Sequence, residues 1–259
     1  MRISIIIIMQ KNKGKFGKAL AVAFALGLWQ IAAVTVDLPI LLVSPVEVLV
    51  RLTTIWQTEN FAGSIWFSFY HIAGGFLLAL LLGVLLAALS ARFPWIETML
   101  WPFMITVKTV PVASFVVICL IWLSAQNLSV FISFLIVLPV VYGNMLEGIK
   151  SEDKAMLEVG KVFRMPFLRS VLYIHLPQLK PFIISACSTA LGMAWKAGVA
   201  AEIIGTPDGS IGKQLYYAKI YLDTDDLLCW TLIIVIISVA FEKLFMRGLR
   251  GFYSRLERG

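Results

Sequence analysis

Long apolar runs recur six times along the chain and are separated by short polar or charged stretches. A helix that crosses a membrane needs about 20 mainly apolar residues. The predicted spans are 19–36, 64–91, 96–124, 128–146, 181–205 and 227–246. Pro102 and Pro111 lie inside the third span and should kink or break it. The pattern predicts an all-α, polytopic membrane protein with a basic lead-in at 1–18, a transmembrane domain at 19–247 and a basic tail at 248–259.

The composition supports this fold class. Hydrophobic residues make up 60% of the 259 residues and charged residues 14%, whereas soluble domains are about half apolar and about a quarter charged. These values exclude a soluble, disordered or disulfide-scaffold protein. Cys119, Cys187 and Cys229 lie in apolar runs without metal-site spacing, so we expect buried thiols and no metal site.

Positive charge sets the expected orientation. Lys and Arg accumulate in cytoplasmic segments, and with the N-terminus inside, 17 of the 22 basic residues would lie on that side. We therefore expect a multi-pass protein of the cell membrane, plasma or inner, with both termini cytoplasmic. The net charge of +7 then needs no nucleic-acid partner. The apolar run 3–9 is short for a signal peptide, and Met9 is an alternative start to Met1.

The longest cytoplasmic loop, 147–180, has a pattern typical of a folded helix. Ser151 is a suitable N-cap residue, and apolar side chains then recur at helical spacing. Those side chains are Ala155, Met156, Val159, Val162 and Phe163. The pattern predicts an amphipathic helix over 152–165 that ends before Pro166. Such a helix either lies on lipid headgroups or docks into a groove of a soluble partner.

Among the ionisable residues within the predicted spans, four are candidates for a functional role: His71, Lys108, Lys196 and Glu202. Inserting a lysine near mid-bilayer costs roughly 2.5–3.5 kcal/mol. Two interpretations remain open: these side chains bond across helix interfaces, or they line a translocation pathway. Neither lysine has an evident acid at its depth, so a pathway that they line would favour a small anionic solute.

The loop also carries a family pattern. Permeases of ABC importers have E-A-A, three residues, G, nine residues, I, one residue and L-P at this place. The chain matches this spacing with Glu158-Val159-Gly160, Ile174 and Leu176-Pro177, while Arg164 stands at the glycine position. The loop therefore resembles the EAA motif of these permeases.

Further landmarks resemble the nitrate, sulfonate and taurine type of permease. They run in order from about residue 40 to 255. They are Ser44-Pro45-Val46-Glu47-Val48; Ser68, Gly75 and Phe76, with His71 where arginine is usual; Lys108-Thr109-Val110-Pro111; Ala200-Ala201-Glu202; and Gly209-Ser210-Ile211-Gly212.

The resemblance implies the transmembrane domain of a type I ABC importer. It also implies four partners: an ATP-binding subunit, a second permease copy as a homodimer, an extracytoplasmic substrate-binding protein, and membrane lipid around the spans. We expect ATPase coupling through Met156, Val159 and Phe163, the apolar anchors of the amphipathic helix, and through the motif positions Glu158, Gly160 and Arg164. The chain has no G-x-x-x-x-G-K-S/T motif. We therefore expect no enzyme activity and no cofactor in this chain, with ATP and Mg²⁺ on the partner.

Two other classes of function remain as alternatives. A secondary transporter would be expected to show paired repeats or mid-membrane acids for a coupling ion, and the sequence shows neither clearly. A membrane scaffold that transports nothing is the other alternative. The folded cytoplasmic loop and the two lysines within spans disfavour it.

Overall fold

The structure is a computed structural model that describes residues 2–38 and 40–256. The side chains of residues 2–16, 18 and 19 are not described. Met1, Pro39 and residues 257–259, which include the ends of the predicted lead-in and tail, lie outside the described part. The chain divides into two compact units: one of residues 1–61 and 217–232, and a larger one of residues 62–216 and 233–259.

Every regular element of the described residues is helical. In chain order they are α1 (Arg2–Val36), α2 (Pro45–Leu52), a 3₁₀ turn (Ile55–Gln57), α3 (Phe61–Arg92), α4 (Pro94–Thr109), α5 (Val112–Cys119), α6 (Ala125–Lys150), α7 (Lys154–Val162), α8 (Phe167–Ser170), a π-helical turn (Val171–His175), α9 (Leu176–Gly205), α10 (Ile211–Tyr221) and α11 (Thr224–Leu256).

The all-helical fold class is confirmed, but the count of six spans is not. Among the described residues four helical stretches are long and apolar enough to cross a membrane, or up to five if one bent helix pair counts as a span. The first predicted span corresponds to a shorter apolar stretch, Leu20–Val36, inside α1. Helix α1 also includes most of the predicted basic lead-in, and α11 continues to Leu256 through most of the predicted tail.

The bent pair is the third predicted span. Helices α4 and α5 meet at an angle of 106°. Val110 takes an extended conformation (φ −74°, ψ 133°) directly before Pro111, because a proline ring disfavours the helical conformation in the residue before it. Pro102 lies within α4 without ending it. The predicted break therefore occurs, and it occurs at the second proline.

The core of the larger unit forms where α6 and α9 pack along each other, with α5 against both. Small residues allow this close approach. A Cβ on Gly198 of α9 would lie 2.5 Å from Ser133 Oγ of α6, and the Ser133 hydroxyl donates to the Ala194 carbonyl at 3.2 Å. Gly75 and Gly83 bring α3 equally close to α6, since a Cβ on Gly75 would lie 2.4 Å from the Val130 carbonyl oxygen.

The smaller unit is held by polar contacts between segments distant in sequence. Arg51 of α2 forms an ion pair with Asp226 of α11, in which Nη2 and Oδ2 are 3.1 Å apart. The Asp226 carboxylate raises the pKa of Arg51. Ser44 and Glu47 form a reciprocal capping box at the start of α2. These contacts fix α2 against the first turns of α11.

Candidate functional site

Helix α7 lies in the loop between α6 and α9, where the sequence predicts an amphipathic helix. Its N-cap is Asp153, whose carboxylate accepts from the Ala155 amide at 2.9 Å. The prediction of Ser151 as the cap is wrong. The Ser151 amide and hydroxyl both donate to the Glu147 carbonyl, at 3.0 and 2.8 Å. Ser151 therefore ends α6, and α7 begins two residues later than it would if Ser151 were its N-cap.

The C-terminal end of α7 shows why the family pattern has a glycine at the position of Arg164. The Arg164 amide donates to the Lys161 carbonyl, and the Met165 amide donates to the Gly160 carbonyl, both at 3.0 Å. This pair of bonds is a Schellman motif, which places a left-handed residue just after the helix. Arg164 is that residue, with φ 47°. The chain therefore keeps the left-handed turn although it carries arginine where the family has glycine.

One side of α7 packs against the chain itself. Gly160 is buried, and a Cβ there would lie 2.6 Å from Ile174 Cδ1. The Asp153 amide donates to Gln178 Oε1 at 2.7 Å, and His175 Nδ1 lies 2.8 Å from Glu152 Oε2. Only 4% of the Glu152 side chain is exposed. Gly160 thus serves internal packing and holds α7 against the π-helical turn.

Exposed apolar side chains recur along α7 and continue into α8; we call this set the α7–α8 face. Its members and their exposed fractions are Met156 (49%), Val159 (47%), Val162 (79%), Phe163 (74%), Phe167 (81%) and Leu168 (71%). Glu158 and Arg164 are also exposed. Phe167 and Leu168 were not among the residues predicted from the sequence. The available signal was a pair of large apolar residues directly after Pro166 in a loop expected to face water.

The two lysines within predicted spans both have exposed side chains. Lys196 lies on a face of α9 opposite the buried Ala194 and Trp195 region, where Ser188 and Met193 are also exposed. Lys108 occupies the last turn of α4, next to the break before Pro111. Its Nζ comes within 3.6 Å of the place that a Cβ on Gly143 would take. Within the described residues, no carboxylate pairs with either lysine.

Glu202 and His71 have local partners. Glu202 is fully buried. Its Oε2 accepts from the Ser68 hydroxyl at 2.6 Å and from the Gly212 amide at 3.2 Å. The half-buried His71 has Nδ1 2.7 Å from the Phe67 carbonyl, one turn earlier on α3. Glu202 therefore joins α3, α9 and the start of α10, while His71 bonds within its own helix.

This arrangement brings together landmarks that are far apart in the sequence. Ser68 also accepts from the Ile211 amide at 2.9 Å. A Cβ on Gly212 would lie 2.5 Å from the Glu202 carbonyl carbon and 2.7 Å from the Ile203 nitrogen, so only glycine fits. Three of the landmarks thus form one buried contact. They are Ser68, the Ala200-Ala201-Glu202 stretch and the Gly209-Ser210-Ile211-Gly212 turn.

The chain is similar to permease proteins of known transport systems. The chain is 25% identical over 246 residues to a putative aliphatic sulfonates transport permease protein of Bacillus subtilis, covering 93% of this chain and 88% of that protein. It is 25% identical over 234 residues to the taurine transport system permease protein of Escherichia coli, covering 88% and 83%. A crystal structure of an amino acid ABC transporter shares the fold, with a TM-score of 0.57 and 17% identity, over 79% of this chain and 97% of that one.

A sequence profile of the family described as "binding-protein-dependent transport system inner membrane component" matches residues 79–258. The match includes all of α4 to α11, and with them the α7–α8 face, Lys108 and Lys196. Together with the helical fold and the permease relatives, it establishes that the chain belongs to this family of inner membrane transport components.

Proposed function

We propose that the chain is the permease subunit of an ATP-driven importer, and that it couples to a separate ATP-binding subunit through the α7–α8 face. The observation that carries this proposal is the apolar surface itself. Six large apolar side chains, each from 47 to 81% exposed, occur within a short loop that buried contacts hold in place. A groove on a soluble partner protein would bury these side chains, because amphipathic helices bind in such grooves.

The proposed machinery divides the work between subunits. The ATP-binding subunit would bind ATP and Mg²⁺, hydrolyse the nucleotide and move the loop. This chain, paired with a second copy, would form the pathway, and an extracytoplasmic binding protein would deliver the solute. Both termini would be cytoplasmic, as the distribution of basic residues favours. Motion of α7 would reach the spans through Glu152, His175 and Gln178, because these residues join α7 to the start of α9.

Coupling can be tested by altering the α7–α8 face without altering the buried contacts of the loop. Val159→Asp, Phe163→Ala and Phe167→Ala should each reduce association with the co-expressed ATP-binding subunit, because truncation of a buried anchor often costs about 2 kcal/mol or more. Glu158→Ala tests the exposed carboxylate of the family pattern. Phe103→Ala is the matched control, since Phe103 is 46% exposed on α4 but lies outside the loop.

The first readout is copurification of the ATP-binding subunit. The second is ATP hydrolysis stimulated by the substrate-binding protein with its solute bound. Normal membrane insertion with severalfold lower copurification supports the proposal. Wild-type copurification and hydrolysis in all four loop variants would show that the face only rests on lipid.

We further propose that the transported solute is a small anion. Lys108 and Lys196 are exposed and have no carboxylate partner within the described residues. The two relatives described above are named for the transport of aliphatic sulfonates and of taurine. Lys108→Met and Lys196→Met should slow uptake of a sulfonate, whereas Lys219→Met on α10 should not. Wild-type uptake in both variants would leave the anion proposal without a basis, and it would leave the coupling proposal intact.

A further inference from the structure

Helix α11 carries a row of positive charges on one face. Lys243, Arg247 and Arg250 follow each other at intervals of four and three residues, so their side chains are neighbours on the helix surface. Like charges at this spacing repel and destabilise a helix. All three are exposed, and among the described residues none pairs with a carboxylate. The row is therefore a cationic surface without an internal counter-charge.

A cavity of about 360 Å³ lies against this row. Its lining consists of the three cations, Glu242 and Met246 of α11, and Ser188 of α9. A volume near 300 Å³ or more is typical of pockets that hold small ligands. Three basic groups against one acidic group give the cavity an excess of positive charge, and Arg side chains present forked donors that match phosphate oxygens. The chemistry favours a phosphate-bearing ligand.

The helix surface preceding the row is apolar. Val235, Ile236 and Val239 are 52%, 58% and 40% exposed. Val239 lies one turn before Lys243, and Ile236 lies two turns before it, so both precede the row on the same side of α11. An exposed apolar strip that leads into a cationic cavity matches an amphiphile with a hydrocarbon chain and an anionic head. A free phosphate ion would use only the cavity.

We infer that this cavity binds the headgroup of an anionic phospholipid, whose acyl chain lies along Val235, Ile236 and Val239. Arg247 and Arg250 donate to the phosphate oxygens, and Lys243 adds positive charge at the end of the apolar strip. Basic pockets between transmembrane helices recognise lipid headgroups in this way. Glu242 opposes the anion, so its neutralisation strengthens binding. The site is separate from the α7–α8 face and does not depend on the proposed function.

The test uses the purified full-length permease in detergent, titrated with phosphatidylglycerol or phosphatidylcholine, with bound lipid counted by native mass spectrometry. The wild type should bind phosphatidylglycerol about tenfold more tightly than phosphatidylcholine. Arg247→Gln with Arg250→Gln should abolish this preference. Arg92→Gln with Arg255→Gln removes the same charge elsewhere and should retain it. Arg247→Lys with Arg250→Lys should retain part of it, and Glu242→Gln should increase it.

Three results would overturn the inference. The first is an unchanged preference after the Arg247 and Arg250 substitutions, and the second is an equal loss in the matched control. The third is full displacement of phosphatidylglycerol by millimolar inorganic phosphate, which would assign the cavity to a free anion rather than to a lipid. If Arg247→Gln with Arg250→Gln folds poorly, two other variants still test the inference. Glu242→Gln should increase the preference for phosphatidylglycerol, and Arg247→Lys with Arg250→Lys should retain part of it.

Discussion

Replacing Arg164 by glycine should stabilise the end of α7. Arg164 has φ 47° and occupies the left-handed position of the Schellman motif. For a residue with a Cβ this conformation costs about 1–2 kcal/mol. Glycine avoids that cost, although its greater freedom in the opened chain offsets about 0.5–1 kcal/mol of the gain. The net stabilisation of the closed turn is therefore about 0.5–1 kcal/mol.

Hydrogen–deuterium exchange of the purified permease measures this effect directly. A change of about 0.5–1 kcal/mol corresponds to a roughly two- to fivefold slower exchange for amides that are protected by the last turn of α7. The Met165 amide, which donates to the Gly160 carbonyl, is the most informative position. Arg164→Ala is the control, because alanine keeps the Cβ and should leave exchange within about twofold of wild type.

The reasoning is refuted if Arg164→Gly exchanges faster than wild type, or if Arg164→Ala slows exchange as much as glycine does. The first result would mean that the arginine side chain stabilises the turn by contacts that outweigh its backbone strain. The second would mean that removal of the arginine side chain, rather than relief of the left-handed conformation, causes the effect.

Three further predictions concern packing and pH. Glu202→Ala should lower the free energy of unfolding by about 2–4 kcal/mol, because two buried donors lose their acceptor, and Glu202→Gln should lower it less. Thermal melting in nanodiscs compares the two variants with wild type. Equal melting temperatures of all three proteins would contradict the buried contact. Gly198→Ala should cost about 1–3 kcal/mol through overpacking, whereas Gly192→Ala, where nothing lies within 4 Å, should cost nothing in the same assay. Donation from the Ser44 amide lowers the pKa of Glu47, so its capping contribution is present above the ordinary glutamate pKa and is lost as pH falls through the lowered value. Amide exchange in α2, corrected for intrinsic rates, should show this loss in wild type and not in Glu47→Gln.

The membrane class and the order of elements could be predicted from the sequence because they depend on local properties. Runs of about 20 apolar residues specify helices in lipid, since every backbone polar group must bond within its own segment. The break in the third span was also predictable, because Pro111 removes a donor and restricts Val110. The count of six was not established, since the first apolar stretch, Leu20–Val36, is shorter than the others.

The identity of the α7 cap shows why local signals were not sufficient. Ser151 and Asp153 are both good N-cap residues, and spacing alone does not choose between them. In the structure the carbonyls at the end of α6 take the Ser151 donors, so the cap moves to Asp153. The choice depended on where the preceding helix ended.

Local sequence patterns predicted the helices and their apolar faces, whereas the burial of individual residues depended on tertiary packing. Periodicity predicted an apolar face on α7, and the resemblance placed Gly160 and Arg164 in the motif. Neither indicated that Gly160 packs inward on Ile174 or that Glu202 bonds to Ser68 from another helix. A residue's own sequence neighbourhood fixes its helix and its face. Whether that face meets another helix, lipid or a partner depends on residues far away in the chain, and only the packed structure brings these together.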